Sequence, residues 1–362
     1  MRSAIGSIQR LGKDHYRVSV EGRPKPDGGR NRPSKVVRGK REVAESVLAR
    51  MVLDEGGEVE CDLTLSAYWT AFYEPTLSRL SPHTQAGYRN AWKRLVEPRF
   101  GDRKMSELRP RDIERGLLEI ERPGSQRNAF KLMRQMFNEA YRDELIERNP
   151  FHRRIRLKRM EGYQPDVLLL HDVPAWLDAV RGCPYEPVLL VMLFGGLRRE
   201  EACALFWSDF DFGVDACAVR IDKVLVEVGG KVHEGPTKTP DSRRTVFLSG
   251  WPAARLLELA GDGPLVPDAN GNRMAPDKIS REYKKLVLAS GARYVPMRNL
   301  RNSYATIMQG LGASDSLISK SLGHTNLNVD YAHYFAANAP AHMANAAMLG
   351  KAVEGVLHRA TS

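Results

Sequence analysis

Residues that could act on a phosphodiester lie in four short segments of the second half of the chain. They are two arginines, a lysine, a histidine and a tyrosine: Arg198, Arg301, Lys238, His324 and Tyr334. An arginine can bind two phosphate oxygens at once, and a lysine or histidine can donate a proton. A tyrosine hydroxyl can serve as a nucleophile. Phosphoryl transfer requires this combination of a nucleophile, positive charge and a proton donor.

Other classes of enzyme lack their sequence signatures. The chain contains no GxxxxGK[ST] phosphate loop, no GxSxG segment and no HExxH segment. It also lacks an acidic cluster of the kind that holds two catalytic metal ions. If the protein acts on a phosphodiester, we expect it to use cationic side chains and a protein nucleophile, with neither a cofactor nor a metal.

The four segments resemble, in their order, the motifs of the tyrosine recombinases, the phage integrase family. They are GGLRREE at 195–201 followed by ALFWSDFD at 204–211, TKT at 237–239 followed by SRRTV at 242–246, RNLRNSYAT at 298–306, and LGH at 322–324. Tyr334 lies ten residues beyond His324. Each segment alone is a weak signal, whereas four in the family order are specific.

The resemblance implies a role for each residue. Arg198 and Arg301 bind the scissile phosphate, and Lys238 protonates the leaving 5′-oxygen. His324 donates to a phosphate oxygen or helps to move protons, and Tyr334 attacks phosphorus to form a 3′-phosphotyrosyl bond. Glu201 lies three residues after Arg198, where a helix would place it to orient that arginine or the histidine.

Two points in these motifs leave alternatives open. Tyr331, in the run Tyr-Ala-His, is a rival nucleophile, but its distance from His324 is shorter than the family spacing, so we favour Tyr334. The family usually has histidine where this chain has Arg298. Arg298 can donate to a phosphate but cannot act as a base near neutral pH. It is either a phosphate ligand or a residue paired with a carboxylate to hold the fold.

The helices and strands predicted from the sequence must position these residues. They indicate a mainly helical chain with small β-sheets, divided into three domains. Residues 1–57 are predicted to form a β-β-β-α unit, 63–157 a helical domain, and 166–362 an α+β domain. The family resemblance implies arm-type DNA binding, core binding and catalysis for the three, respectively. In the last domain we predict one strand over 218–228, a turn at Gly229-Gly230 and a small helix over 341–349, which packs either internally or on a neighbouring subunit.

The charge distribution points to a polyanion. The chain carries a formal net charge of +11, of which residues 1–42 contribute +8, with 12 Lys and Arg against 4 Asp and Glu. Nucleic acid is the first interpretation, and a solubilising or lipid-binding tail is the alternative. A second basic run joins the helical and catalytic domains, and we expect it to lie along DNA or to be a solvated hinge: Arg153, Arg154, Arg156, Lys158 and Arg159.

The composition of the chain indicates the cellular compartment in which we expect it to act. There is no run of about 18 apolar residues and no apolar segment near the N-terminus, so we expect neither a membrane span nor a secretory signal. Four cysteines without metal-ligand spacing are typical of buried thiols in a cytoplasmic protein. We therefore expect action in the cytoplasm of a bacterial host.

The resemblance then predicts an integrase of a phage or mobile element. It would act as a homotetramer on double-stranded DNA with core and arm attachment sites, and could use a directionality factor and a host DNA-bending protein. A chromosome-dimer resolvase is the alternative within the family, although such proteins usually lack the basic arm. A non-catalytic DNA-binding regulator is the alternative outside enzymes.

Overall fold

The computed structural model describes residues 6–22, 29–39, 41–54, 63–159, 164–237, 242–323 and 331–361. Two compact units divide the chain, Met1–Tyr163 and Gln164–Ser362. Each unit has hydrophobic core clusters of its own. The chain is mainly helical with small antiparallel sheets, which confirms the predicted fold class.

The first unit begins with a three-stranded antiparallel sheet in the order β1–β2–β3. Its elements are β1 (Gly6–Gly12), β2 (His15–Val20), β3 (Ser34–Arg38) and the following helix α1 (Arg41–Asp54). Val18, Val37 and Ala44 are buried together between sheet and helix. The described elements follow the β-β-β-α order that the sequence predicts for this part of the chain.

The rest of this unit is helical. Its helices are α2 (Leu65–Tyr68), α3 (Glu74–Thr76), α4 (Pro82–Ala91), α5 (Glu97–Phe100), α6 (Pro110–Leu118) and α7 (Pro123–Arg142), with π-helical turns at Trp69–Tyr73 and Trp92–Val96 and 3₁₀ turns at Leu77–Arg79, Met105–Glu107 and Pro150–His152. Thr64 and Ser81 cap the starts of α2 and α4 with their hydroxyl oxygens. The indole rings of Trp69 and Trp92 stack in the core, with their centroids 4.7 Å apart.

Helix α1 contacts both parts of this unit. Ala44 packs under the sheet, whereas Ala49 is buried in the core of the helical part. Nη1 of Arg50 also donates to the carbonyl oxygen of Ala71 at 2.9 Å. The helix thus joins the sheet to the helical part by direct packing, and the division of this half at residue 57 stays a prediction.

The second unit combines helices with two small sheets. Its helices are α8 (Val173–Val180), α9 (Glu186–Gly195), α10 (Arg199–Ala202), α11 (Trp251–Glu258), α12 (Pro276–Ser290), α13 (Leu300–Gly310), α14 (Asp315–Leu322) and α15 (Tyr331–Thr361), with 3₁₀ turns at Leu170–Asp172, Trp207–Asp209 and Met297–Asn299. Its strands are β4 (Phe210–Phe212), β5 (Ala216–Ile221), β6 (Lys223–Val228), β7 (Lys231–Pro236) and β8 (Arg244–Ser249). Every residue of α9 is buried, so this helix runs through the middle of the core.

The strands of this unit differ from the prediction at one point. The predicted single strand over 218–228 is wrong, because the chain changes sheets at Asp222. β5 pairs with β4 and β8, whereas β6 pairs only with β7. The predicted turn at Gly229-Gly230 is confirmed: it joins β6 to β7, and both glycines have positive φ.

The C-terminal helix is longer than predicted. We expected a small helix over 341–349, whereas α15 is continuous from Tyr331 to Thr361. Leu349 and Val353 are buried in the core of this unit, and Oε1 of Glu354 accepts from the backbone N–H of Trp251 at 3.2 Å. The end of this segment therefore packs internally within the chain, and docking on a neighbouring subunit stays a prediction.

Two further observations bear on the expectations from composition. Cys203 and Cys217 are buried as free thiols and Cys183 is half-buried, while Cys61 lies outside the described residues. No helix in the described part of the chain is both long and apolar enough to cross a membrane.

Candidate active site

The structure describes three of the six predicted catalytic residues with their side chains. Arg198, Arg298 and Arg301 lie within the second unit. Lys238 and His324 lie outside the described residues. Tyr334 lies in the first turn of α15, where only the backbone is described.

Arg198 stands at the start of α10, directly before its first residue. Glu201, in the same turn, accepts hydrogen bonds from the backbone N–H of Arg198 at 2.9 Å and from its Nη1 at 2.7 Å. The Glu201 side chain is 1% exposed, whereas that of Arg198 is 38% exposed. The carboxylate therefore fixes one edge of the guanidinium and leaves the rest of it accessible to a ligand.

Gly196 lies between α9 and Arg198, at a position where only a glycine fits. Gly196 ends α9 with φ = 66°, a left-handed conformation that favours glycine. A Cβ at this position would lie 2.8 Å from side-chain carbons of both Leu322 and Tyr304. The motif thus needs glycine here for both its backbone conformation and its close packing against α13 and α14.

Arg301 connects two of the motifs. It is buried in α13, where its Nη1 donates to the carbonyl oxygen of Gly196 at 2.8 Å and its Nη2 to that of Leu322 at 2.5 Å. Gly196 lies two residues before Arg198, and Leu322 lies two residues before His324. Arg301 therefore holds together the backbone of two segments that are far apart in sequence.

A residue that the sequence analysis did not single out completes the cluster. Arg244, the first residue of β8, is paired with Glu201: Nη2 donates to Oε2 at 2.9 Å and Nη1 to Oε1 at 3.1 Å. Both side chains are 1% exposed. The signal for it was the alternation in β8, because Arg244 shares its strand face with the buried Val246 and Leu248. An arginine on a buried face requires a carboxylate partner.

The charges of this arginine cluster, Arg198, Arg244, Arg301 and Glu201, do not cancel. Burial would raise the pKa of the Glu201 carboxyl, but the charge and hydrogen bonds of Arg244, together with those of Arg198, lower it to about 2. Burial and the like charges of Arg198 and Arg244 lower the pKa of Arg301 to about 9. Three guanidinium groups around one carboxylate leave a net charge of +2, and Arg198 is the partly exposed member of the cluster. Such an arrangement attracts an anion.

Arg298 is not brought into the cluster. It lies in the 3₁₀ turn Met297–Asn299 and is exposed. Burial raises the pKa of the nearby Tyr294 hydroxyl, and the charge of Arg298 opposes this effect. Within the described ranges, Arg298 has no hydrogen bond or ion pair to a carboxylate.

The basic run after the helical part lies in the first unit, and four of its five side chains are exposed: Arg153, Arg154, Arg156 and Arg159. Lys158 differs, because its Nζ donates to the carbonyl oxygen of Ile120 at 3.0 Å and its backbone N–H to Oε1 of Gln126 at 2.7 Å. The buried side chain of Ile155 anchors the same run. As far as Arg159 the run is therefore fixed to the helical part and is not a solvated hinge.

The described residues contain no group of three or more His, Cys, Asp or Glu side chains that could hold a metal ion. The groups brought together are cations, one carboxylate and backbone carbonyls. Chemically, this arrangement can bind a phosphate and stabilise negative charge that develops on it.

Comparison with known proteins places these segments in a family context. The model of the phage integrase family matches residues 167–340, and that of the N-terminal SAM-like domain of phage integrases matches 64–117; together they cover more than half of the chain. The integrase of Mycobacterium phage D29 is 26% identical over 260 residues, which are 68% of this chain and 68% of that protein.

Two solved structures share the fold. The Tn1549 transposon integrase, in complex with a circular intermediate DNA, has a TM-score of 0.61 at 15% identity and covers 73% of this chain and 92% of its own. A lambda integrase tetramer bound to a Holliday junction has a TM-score of 0.55 at 17% identity and covers 89% of this chain and 97% of its own. At these identities the likeness shows the fold.

Proposed function

This chain belongs to the phage integrase family of tyrosine recombinases, and we propose that it is a site-specific integrase that cleaves and rejoins DNA through a 3′-phosphotyrosyl intermediate. It integrates and excises the genome of a phage or mobile element within a bacterial host cell. The observation that carries the proposal is the arginine cluster, in which three segments separated in sequence meet around one buried carboxylate.

The cluster is suited to the scissile phosphate. Arg198 keeps part of its guanidinium accessible, and the Nη atoms of Arg301 each retain a second N–H beyond those bound to carbonyls. Burial and then the like charges of Arg198 and Arg244 lower the pKa of Arg301, and an incoming phosphate would reduce the repulsion among these three guanidinium groups. The same donors stabilise the charge that spreads over the equatorial oxygens in the transition state.

The remaining roles follow the family. The hydroxyl oxygen of Tyr334 attacks phosphorus, and the bond from phosphorus to the 5′-oxygen breaks. Lys238 gives its proton to that oxygen, and His324 takes the proton that the attacking hydroxyl of Tyr334 loses. Arg298, which lies outside the arginine cluster, is the further donor that we propose to the phosphate. The phosphotyrosyl bond retains the energy of the broken phosphodiester, so a 5′-hydroxyl of another strand can attack it and restore the DNA without ATP or a metal. Glu201 orients Arg198.

The other parts of the chain supply the DNA contacts. Residues 1–57 bind arm sites, 63–157 bind the core site, and 166–362 form the catalytic domain. The exposed arginines of the basic run contact the phosphate backbone, whereas Lys158 contributes less because its ammonium already has a protein partner. Four protomers hold two duplexes, as in the lambda integrase tetramer on a Holliday junction. We also propose a directionality factor and a host DNA-bending protein as further partners.

The nucleophile assignment is tested by trapping the covalent intermediate. A core site with a nick next to the cleavage position loses its short fragment after attack, so the protein stays attached to DNA. We expect wild type and Tyr331→Phe to form this adduct, and Tyr334→Phe to bind the site normally without forming it. An adduct with Tyr334→Phe, or none with Tyr331→Phe, would transfer the role to Tyr331. No adduct with any of the three proteins would overturn the proposed reaction.

The proposed arm-binding domain, residues 1–57, distinguishes an integrase from a chromosome-dimer resolvase. Exposed basic residues of the sheet can be replaced without touching the core under it: Arg10, Arg17, Lys35 and Arg38 to glutamine. We expect this full-length variant to lose integrative recombination between attachment sites and to retain adduct formation on the nicked core site. Integration at the wild-type rate would show that the arm has no separate DNA site.

A further inference from the structure

Arg244 has no assigned role in catalysis, yet it forms two hydrogen bonds with the buried carboxylate of Glu201. We propose that Arg244 is a positioning residue for the cleavage step: it holds the Glu201 carboxylate, and through it the guanidinium of Arg198, in the orientation that binds the scissile phosphate. This inference rests on the proposed function and adds to it a residue that is not among the six side chains assigned to catalysis.

The hydrogen bonds of Arg244 indicate that it acts through Glu201. Two parallel bonds join it to Glu201, Nε donates to the carbonyl oxygen of Ser321 at 3.1 Å, and Nη1 also donates to that of Ser242 at 3.3 Å. With a side chain 1% exposed and its donors used on both edges, Arg244 does not reach DNA. It forms a fixed point to which the carboxylate is attached.

The carboxylate in turn divides its oxygens between two arginines. Oε1 accepts from both Arg198 and Arg244, while Oε2 accepts from Arg244 and from the backbone N–H of Arg198. Because Arg244 neutralises Glu201, the positive charge of Arg198 remains available for phosphate. Without Arg244, the same carboxylate would compete with DNA for Arg198.

The geometry requires an arginine at this position. A guanidinium presents a planar fork that matches the two carboxylate oxygens, and its third edge reaches the carbonyl of Ser321 in the same plane. A lysine keeps the charge but offers a single ammonium nitrogen, which cannot make both parallel bonds and the third contact together. Arg244→Lys therefore changes the orientation of Glu201 more than it changes the charge of the site.

The second unit contains a matched pair that serves as the control. Arg255 also binds Glu186 through two bonds, here with Nε 2.7 Å from Oε1 and Nη2 3.0 Å from Oε2. This carboxylate is also buried, while the Arg255 side chain is 21% exposed. The pair joins α11 to α9 and contacts none of the motif residues among its described partners. Arg255→Lys disturbs a buried ion pair to a similar degree without touching the arginine cluster.

The test is a double-mutant cycle on single-turnover cleavage of the nicked core site, with DNA affinity and a melting curve for each protein. We expect Arg244→Lys to slow cleavage by roughly 100-fold, the cost of misplacing a reacting group by about 1 Å. Its affinity for DNA should stay within about threefold of wild type, because the groups that touch DNA elsewhere are intact. Arg255→Lys should leave cleavage within about twofold.

The cycle separates positioning from a merely structural role. In the Arg198→Ala background we expect Arg244→Lys to slow cleavage by no more than about threefold, because the group that it positions is already absent. Glu201→Asp retracts the carboxylate by one methylene, so we expect it to slow cleavage as much as Arg244→Lys does and to add little in the Arg198→Ala background. If Arg244→Lys melts below the assay temperature, Glu201→Asp takes its place in the cycle.

Two results would overturn the inference: full additivity of the Arg198 and Arg244 substitutions, or an equal loss of cleavage in Arg255→Lys. Either one, obtained while wild type forms the adduct, removes the role of Arg244 and leaves the proposed function in place. Absence of the adduct in wild type removes both.

Discussion

Arginine is placed in opposite surroundings in two regions of this molecule. In the N-terminal sheet the side chains of Arg10, Arg17 and Arg38, one on each strand, are exposed. In the arginine cluster, Arg244 and Arg301 are buried and every guanidinium has a partner at a defined distance. If the sheet binds DNA as we propose, exposed charges of this kind give a diffuse attraction that depends on their number. The cluster produces an oriented site, which depends on the position of each nitrogen atom.

Because of this difference, changes in the two regions should affect different measurements, the rate of cleavage and the affinity for DNA. A change in the cluster should alter the rate of cleavage with little effect on affinity, since few of the phosphate contacts lie there. A change in the sheet should alter the affinity and its dependence on salt, while cleavage of a bound core site continues. The predictions below begin with the largest expected effect.

Removing Arg198 should give the largest loss. We expect Arg198→Ala to slow single-turnover cleavage by about 10²–10³-fold, which is typical for the loss of one donor to a developing oxyanion. The matched control is Arg199→Ala, because Arg199 lies next in sequence but pairs with Glu200 and with Asp277 of α12. Cleavage by Arg199→Ala should stay within a few-fold of wild type. Equal losses in the two variants would mean that the site does not depend on orientation.

Glu201→Gln tests the charge of the buried carboxylate through stability in acid. A pKa of about 2 in the folded state, below the value of the unfolded chain, contributes stability above pH 4.5 that is lost as the pH falls toward 2. The contribution is about 3 kcal/mol. The gap in unfolding free energy between wild type and Glu201→Gln should therefore be widest near neutral pH and close in acid.

The control for this measurement is Glu258→Gln, whose carboxylate is 64% exposed beside Arg255. Its unfolding free energy should stay within about 0.5 kcal/mol of wild type, as for most surface substitutions. A gap for Glu201→Gln that does not change with pH would show that the carboxylate is held by packing and not by its charge.

Arg298 lies between the two kinds of arginine, because it belongs to a catalytic motif but is exposed. If it donates to the scissile phosphate, Arg298→Ala loses a charged hydrogen bond worth about 1.5–3 kcal/mol, or roughly ten- to hundredfold in rate. Arg298→His should lose less. Since no carboxylate pairs with it in the described part of the chain, neither variant should lower the melting temperature. Unchanged cleavage in Arg298→Ala would place this position outside the active site.

A single substitution in the sheet should have the smallest effect. Arg17→Gln, on the central strand β2, should reduce the slope of log affinity against log salt concentration for arm DNA by about 0.9, the contribution of one phosphate contact. Ser34→Gln on β3 alters the same sheet without altering its charge and should leave the slope unchanged. An unchanged slope in Arg17→Gln would show that this arginine is not at the DNA interface.

Local sequence patterns predicted the elements that depend on local interactions. Alternating apolar residues in 16–20 and the paired glycines at 229 and 230 correspond to β2 and to the β6–β7 turn. The change of sheet at Asp222 was missed because alternation continues through it, and only pairing with distant strands distinguishes β5 from β6. The full length of α15 was missed because the sequence gives no local sign that Leu349 and Val353 are buried in the core of the second unit.

In the candidate site, too, local patterns identified some residues and missed one whose role depends on a distant contact. Arg198 and Arg301 could be identified from short motifs, since each lies in a segment with a fixed pattern of neighbours. Arg244 was quoted in such a segment but not assigned, because its role arises from Glu201, which lies 43 residues earlier in the chain. A contact of that length leaves no local pattern beyond a charged residue on a buried strand face.

The packing of α1 has a consequence for protein engineering. Recombinases with new targets can be built by exchanging the N-terminal arm between relatives, and the natural choice of junction would be the connection after α1. Ala49 and Arg50, however, supply core packing and a hydrogen bond to the helical part, so such a chimera would bring a foreign helix into a core that it does not fit. A junction before α1, near Gly39, exchanges the three strands and retains the native helix, and should yield the better-folded hybrids.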